Sequence, residues 1–502
     1  MDGLPEREGG RAEQRNMLLV LGAITVAGLA AAWWSSWGSY PLRSDSPSYL
    51  YWDPSRSAGY PAFLALVRLL TGHVGLAVPV QMALLAGSLL ALGWSFYRFS
   101  QRPILAVLFQ ILLLASPEMW KISALIMTEA LATACVALWC AQLLRALKAP
   151  SPGGAWVLIA IAAVGTIVRP PLAALFVATA VFALATQAGT GRGRTLAPIV
   201  AGFLVAWMAT PAAMYLIHGS AVTTSPFARG ILQHSLFCEP GAASRDPDAQ
   251  LVEQSAAPVR RYIASAPAEL TPVLRRIYSG ELRYGLIIPA LGRRHHLPTE
   301  WQTDAVIARV ASERVRQNPL CYAASVIAAD VRMATHGTAG SPGGAMRLRQ
   351  FLAQHPPIPV QSVPMLPDDR RDSLRAATEF PGPPPFPVPP ANPFQLSDKS
   401  PLLAIVAARA LFGGAAILGL LALVAVLIRP LMVRKSWRTI AAAAAAGAAF
   451  HGILGITAIV ELGLTRYLVP VWPIVGTLAG LGSVLLLNAL AQREPAPAGS
   501  AA

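Results

Sequence analysis

Long apolar runs separated by short polar breaks dominate this chain, and the runs predict helices that cross a lipid bilayer. Candidate spans cover 17–38, 74–97, 103–116, 120–144, 155–169, 171–188, 197–217, 401–428, 439–459 and 468–491. A helix rises about 1.5 Å per residue, so about 20 apolar residues bridge the hydrocarbon core; 103–116 and 155–169 are short for that task. Arg169-Pro170-Pro171 interrupts one apolar stretch. Proline lacks an N–H and disfavours helix in the residue before it, so two helices meet there in a tight break. Ala441–Ala446 forms a small-residue helix surface suited to close packing.

Composition agrees with the pattern. Of 502 residues, 54% are hydrophobic and 13% charged, and mean hydropathy is +0.50. Soluble domains run near a quarter charged, so most of this surface meets lipid. The first 16 residues are polar and the run from Met17 is long enough to span, which reads as a retained anchor and not a cleaved signal. The net charge of +15 follows topology. With the N-terminus inside, fourteen lysines and arginines from Arg7 to Arg493 fall in cytoplasmic segments. Six fall in the short segments opposite: Arg43, Arg56, Arg68, Lys121, Arg169 and Arg466. That bias fits the positive-inside rule and places both tails, 1–16 and 492–502, in the cytoplasm. It gives no nucleic-acid footprint.

The expected fold is therefore an all-α polytopic membrane protein of about ten helices. A transmembrane core over 17–217 carries the first outer loop, 39–73. A large, mainly helical loop domain follows over 218–400, outside the cytoplasm, and C-terminal helices complete the chain over 401–491. Within the loop domain, Thr299-Glu300-Trp301-Gln302 reads as a capping box starting a helix through about Arg316. Asn318-Pro319 supplies an N-cap and first-turn proline for a second helix, through about Met333. The stretch 381–393 holds eight prolines in thirteen residues and predicts an extended strap; a recognition peptide for a proline-binding module is the other reading. Cys135 and Cys140 lie in one apolar span as packing residues. Cys238 and Cys321 both fall in the loop domain, where an oxidising compartment permits a disulfide and two separate buried thiols are the alternative. Arg293-Arg294-His295-His296 reads as a solvated basic turn, and no zinc-ligand spacing occurs.

Candidate chemistry gathers in the first outer loop. It runs Ser44-Asp45-Ser46-Pro47-Ser48-Tyr49, then Asp53, then Arg56-Ser57-Ala58-Gly59-Tyr60-Pro61-Ala62-Phe63-Leu64. Gly59-Tyr60-Pro61 gives a turn and a helix start, and the apolar stretch to Leu70 is too short to span, so it lies along the membrane face. By composition alone this is an ordinary polar turn with a helix-capping aspartate.

The pattern D-S-x-x-Y followed by R-x-x-G-Y-P-x-F-L, directly after the first apolar span, resembles the GT-C class of membrane glycosyltransferases. The likeness is to bacterial relatives of protein mannosyltransferases and lipid A aminoarabinose transferases. Further stretches follow in the family's order. Ser123-Ala124-Leu125-Ile126-Met127-Thr128-Glu129-Ala130-Leu131 is similar to its acidic fourth-helix segment, and Ile167-Val168-Arg169-Pro170 resembles its arginine-proline break. The stretch from Ala311 through Asn318-Pro319 to Tyr322 is similar to its helix, Asn-Pro, helix segment. Glu461-Leu462-Gly463-Leu464-Thr465-Arg466-Tyr467-Leu468-Val469-Pro470 resembles its arginine-tyrosine-proline stretch. Where protein mannosyltransferases often carry an adjacent acidic pair, this chain has Asp45-Ser46.

The resemblance implies transfer of a sugar from a polyprenyl-phosphate donor to an acceptor hydroxyl on the outer side of the bacterial inner membrane. The acceptor would be an envelope glycan, lipid or protein. Asp45 is then the base, with Asp53 in reserve and Glu118 at the site rim. Arg56, Arg169 and Arg466 would meet the donor phosphate, because a guanidinium fork matches phosphate oxygens; snorkelling to headgroups is their other reading. Tyr49, Tyr60 and Tyr467 would contact substrate. Glu129 is an internal partner for an arginine or a polar helix contact, and Glu461 forms an ion pair with Arg466 or belongs to the site. His451, alone in a span, is a hydrogen-bonded packing residue. No cofactor is assigned, and a divalent metal is compatible with the chemistry. An O-antigen polymerase or ligase would place its key arginines in the large loop, and a transporter or flippase would carry inverted repeats, which are not visible here.

The topology has a direct check. Tags at Ser244 or Asn392 are expected to react with an impermeant reagent on intact cells, and tags at either terminus are not. A reactive terminus would invert the arrangement.

Overall fold

The computed structural model describes residues 8–36, 46–53, 56–149, 151–186, 192–219, 226–240, 244–267, 270–297, 300–336, 354, 402–427, 437–460 and 465–491. Among these it is helical, without strands. α1 (Glu8–Ser36) begins inside the segment expected as a polar tail, 1–16, because that segment has partners. Glu13 accepts from the Tyr97 hydroxyl at 3.3 Å, and Gln14 from Arg98 at 2.8 Å. Two short helices follow, α2 (Ser46–Leu50) and α3 (Gly59–Thr71), then α4 (Ala77–Ser100) and α5 (Pro103–Leu114).

The span expected over 120–144 is two helices. α6 (Pro117–Ser123) stops, and α7 (Glu129–Lys148) starts after a break at 124–128. Three carbonyls at the break, those of Ser123, Leu125 and Ile126, find a side-chain donor within the protein, described below, which is the condition for non-helical backbone at membrane depth. α8 (Pro152–Val168) starts on a Ser151 cap whose Oγ accepts from the Gly154 N–H at 3.1 Å. It ends at the predicted Arg-Pro-Pro break, where a 3-10 turn over Pro170–Ala173 leads into α9 (Ala174–Thr186). α10 (Arg192–His218) closes the first half.

After the loop domain come α17 (Leu402–Leu427), α18 (Trp437–Val460), a 3-10 turn over Thr465–Val471 and α19 (Trp472–Ala491). Among the described residues, six helices are long and apolar enough to cross a membrane: those over Arg11–Trp34, Val74–Ser100, Glu129–Lys148, Leu196–His218, Trp437–Ile459 and Leu468–Leu490. Shorter apolar helices cover Gly59–Thr71, Pro103–Leu114, Gly153–Val168, Pro170–Thr186 and Ala410–Val426. This is an all-α membrane protein.

One apolar core runs through the bundle, with α4 packed on α7, α7 on α8, and α18 on α9 and α17. Both buried indoles inside it are bonded: the Trp139 indole donates to Thr179 at 3.1 Å, and the Trp472 indole to the Leu113 carbonyl at 3.0 Å. Ala441–Ala446 are all buried, as their size predicted. His451 is the packing residue expected, its Nε2 3.1 Å from the Ala416 carbonyl across the α17–α18 contact. Cys135 and Cys140 are buried free thiols in α7.

The loop domain has a second core of its own, built on α11 (Pro226–Ser235), α12 (Pro247–Ala264), α13 (Thr271–Gly280), a π-helical turn over Glu281–Ile287, α14 (Ile288–Arg294) and α15 (Asp304–Gln317). α15 starts later than the capping box predicted. Thr299 lies outside the described residues, and Glu300–Thr303 form a 3-10 turn first, because Asp304 at the α15 start is held by Arg229 at 2.6 Å. Asn318 caps α16 (Pro319–His336) as expected, its Oδ1 accepting from the Cys321 N–H at 3.1 Å.

Cys238 and Cys321 are joined in a disulfide. Beside it the buried Arg314 donates to the Ser235 and Cys238 carbonyls at 3.1 Å and to Glu253 at 2.9 Å. Burial pushes the Glu253 carboxyl up, but Arg260 and Arg314 outweigh it and its pKa falls. The basic turn is exposed at all four residues, Arg293 to His296, as expected, and Arg294 and His295 also reach the buried Asp248 at 3.2 and 2.9 Å. The Pro-rich strap over 381–393 lies outside the described residues.

α17 and α18 touch at Gly419 and Gly447, where a Cβ added to Gly447 would fall 2.6 Å from the Gly419 Cα. Gly447→Val must therefore force the helices apart. It is expected to cost about 1–3 kcal/mol, as overpacking does, read as a lower Tm in detergent. An unchanged Tm would rule out that crossing.

Candidate functional site

The polar segment between α1 and α4 is anchored at three places. At the first, Ser46 in α2 is buried and its Oγ donates to the Ile126 carbonyl, in the break between α6 and α7, at 2.9 Å. The chain then doubles back. The Asp53 N–H donates to the Ser48 carbonyl at 2.8 Å, and the Arg56 N–H to the Asp53 carbonyl at 2.9 Å, with Trp52 in the left-handed region at φ 53°. Arg56 folds over this turn: its Nε donates to Ser48 Oγ at 2.8 Å, and its guanidinium lies 4.9 Å from the Tyr49 ring centroid. That distance is within cation–π range. Tyr49 meets the Tyr60 ring edge-on at 5.2 Å.

The second anchor is the end of α8. Ser57 Oγ donates to the Val168 carbonyl at 2.6 Å, and the Ala58 N–H to Thr210 Oγ1 at 3.4 Å. Gly59 makes this approach possible, since a Cβ there would fall 2.7 Å from the Ile167 carbonyl group. From α10, the His218 ring Nε2 lies 2.7 Å from the Trp52 carbonyl.

At the third, the Tyr60 hydroxyl donates to Gln81 Oε1 at 2.8 Å, and Gln81 Nε2 donates to the carbonyls of Ser123 at 2.7 Å and Leu125 at 2.6 Å. Gln81 is fully buried in α4. A buried amide is costly unless bonded, and here both ends of the side chain are engaged. Tyr60, expected to touch substrate, is fully buried with its hydroxyl on Gln81: a bracing position, not a lining one.

Glu129 opens α7 and Arg169 follows α8, and they pair. Arg169 Nη1 lies 3.2 Å from Glu129 Oε1, with the side chains 8% and 2% exposed, and donates to Thr128 Oγ1 at 3.4 Å. A carboxylate in the first turn also suits the positive end of the α7 dipole. The turn over Thr465–Val471 packs on α6 and α7, so the backbone of Arg466 and Tyr467 comes to the same neighbourhood; their side chains lie outside the described residues.

Of the other expected site residues, Asp45 and Glu461 lie outside the described residues. Asp53 is half-buried in the turn. Glu118 is half-buried in the first turn of α6, beside the Ser116 cap, whose Oγ accepts from the Met119 N–H at 3.3 Å. Cys238 and Cys321 serve the loop domain. Gln81, Thr128, Thr210 and His218 were not anticipated. A lone amide inside an apolar span was the available signal for Gln81; the others carry none until the chain is folded. Among the described residues no three His, Cys, Asp or Glu side chains gather as a metal site requires. No protein-family model, curated protein or solved structure matches this chain.

Glu129→Gln would leave the Arg169 charge buried beside a neutral amide. Removing one partner of a buried pair costs about 3–5 kcal/mol, so the variant should unfold at lower temperature. Combining it with Arg169→Gln should lose less than the two single changes added together. Strict additivity would show that the pair is not coupled.

Proposed function

We infer that the chain is a GT-C-type glycosyltransferase of the bacterial inner membrane, with ten membrane helices, both termini in the cytoplasm and the loop domain outside. The observation that carries the reading is a convergence. The first-loop segment, the acidic segment before α7 and the arginine-proline break after α8 are bonded to one another although 40 to 111 residues separate the bonded groups. The turn bearing Arg466 and Tyr467 packs beside them. These are the four stretches that resemble the family in the membrane core.

The proposed reaction uses a polyprenyl-phosphate-linked sugar drawn from the bilayer. The acceptor hydroxyl oxygen attacks the anomeric carbon, a glycosidic C–O bond forms, and the bond from that carbon to the phosphate oxygen breaks. Asp45 takes the hydroxyl proton, and the polyprenyl phosphate leaves with the bonding pair. Arg56, Arg466 and Arg169 are the cations of this reading, acting on negative charge that grows on the phosphate as the bond breaks. Glu129 fixes the orientation of Arg169. Tyr49 and Tyr467 contact substrate, and Asp53 and Glu118 are second acids at the rim. The acceptor is an envelope glycan, lipid or protein.

Asp45→Asn keeps the side chain's shape and removes the base. Release of polyprenyl phosphate in proteoliposomes, from a panel of polyprenyl-phosphate sugars and with membrane extract as acceptor, should fall by roughly 10²–10⁴-fold, while Tm is unchanged. Near-normal turnover by this variant would sink the assignment.

A further inference from the structure

We propose that α16, which the sequence assigns to the loop domain, is seated in the bilayer, with one aliphatic stripe against acyl chains, so that it anchors the domain in the leaflet it faces. Its inward side carries the first argument. Ala329, Met333 and Ala334 are buried in the apolar core of the membrane bundle, and Val326 packs on it. No described α16 residue belongs to the loop-domain core. The helix packs on α17 and α18 more extensively than on α11 or α15.

The outward side carries the second. Leu320, Ile327 and Val331 are 82%, 62% and 51% exposed, and Ala323, Ala324 and Ala328 are exposed between them. The spacing places all six on one stripe of the helix, and no charged residue shares it. Asp330 lies off the stripe and is half-buried, within electrostatic reach of His451 of α18.

Lipid is the occupant these observations favour. The helix on which α16 packs, α17, likewise exposes aliphatic side chains, Ile417, Leu420 and Leu421 at 51–62%. Exposed aliphatic stripes of this kind are not kept in water without a partner. A second copy would be expected to meet an aromatic or arginine anchor at the centre of the patch, and the stripe has none. The inference does not depend on the transferase reading.

The test uses the full chain in phosphatidylcholine–phosphatidylglycerol vesicles, with a nitroxide at Ile327→Cys or Val331→Cys. The native thiols are buried or paired and stay unlabelled. Power saturation should give oxygen collisions in excess over a water-soluble nickel chelate, matching Leu421→Cys as the lipid control and opposing Ala305→Cys, exposed on α15, as the water control. If either label position yields aggregated protein, Ala328→Cys on the same stripe replaces it. Nickel access like that at Ala305 would overturn the proposal. So would shielding from both reagents, which would mean that a second copy or another part of this chain covers the stripe.

Discussion

A backbone carbonyl released from a helix inside a bilayer has no water to turn to, and the architecture near the first loop depends on how that requirement is met between α6 and α7. Gln81 supplies both N–H groups to the Ser123 and Leu125 carbonyls, and Ser46 supplies a hydroxyl to Ile126. Each unsatisfied group at such depth costs several kcal/mol. The break therefore exists only while α4 and the first-loop segment are docked on it. Because Gln81 Oε1 is taken by Tyr60, the same amide fixes the start of α3. One side chain thus couples a helix break, a loop and a helix start into one rigid unit.

Charge is handled by the same economy of partners. Arg169 follows α8, whose continuation proline forbids, and Glu129 stands where the preceding helix, α7, begins. Their pair ties the end of α8 to the start of α7 just beside the break. Glutamine and glutamate therefore do complementary work: one satisfies backbone groups, the other neutralises a guanidinium that lipid would reject. Gly59 allows the loop to lie against the α8 backbone at the same place. An added methyl there would push Ser57 away from the Val168 carbonyl as well.

Much of this was legible before folding, wherever the signal is local. Proline after Arg169, proline after Asn318, the small residues from Ala441 to Ala446 and the polar first loop each act through their own neighbours in sequence. The break at 124–128 was not legible, because Ala124-Leu125-Ile126-Met127 is uniformly apolar and reads as continuous helix. What ends the helix there is an amide more than forty residues away. The early start of α1 has the same character: Glu13 and Gln14 gain order from Tyr97 and Arg98 on α4. At the candidate site, the Glu129–Arg169 pair was readable as one of several pairings, since two isolated opposite charges in apolar surroundings have few other solutions. The roles of Thr128, Thr210 and His218 were not readable, since hydroxyl and imidazole groups at helix ends are common and only topology chooses their partners.

The disulfide acquires a different meaning once the two apolar cores are separated. Cys238 follows α11, whose Leu232 lies in the loop-domain core with Leu236 just after it, whereas Cys321 sits on α16, whose Ala329 and Met333 lie in the membrane core. The bridge therefore joins two cores across their boundary and does not staple one domain internally. Arg314 bonds the Cys238 carbonyl from the loop-domain side, and Asn318 caps α16 one turn before the bond. A soluble domain resting on a bilayer is free to tilt unless something fixes it in more than one direction. Here α11 packs on α18, α16 packs on α17 and α18, and a covalent link closes the triangle between them. The loop domain is held against the membrane bundle by the packing of α11 and by the bond just beyond its end, which together restrict its orientation relative to the bundle.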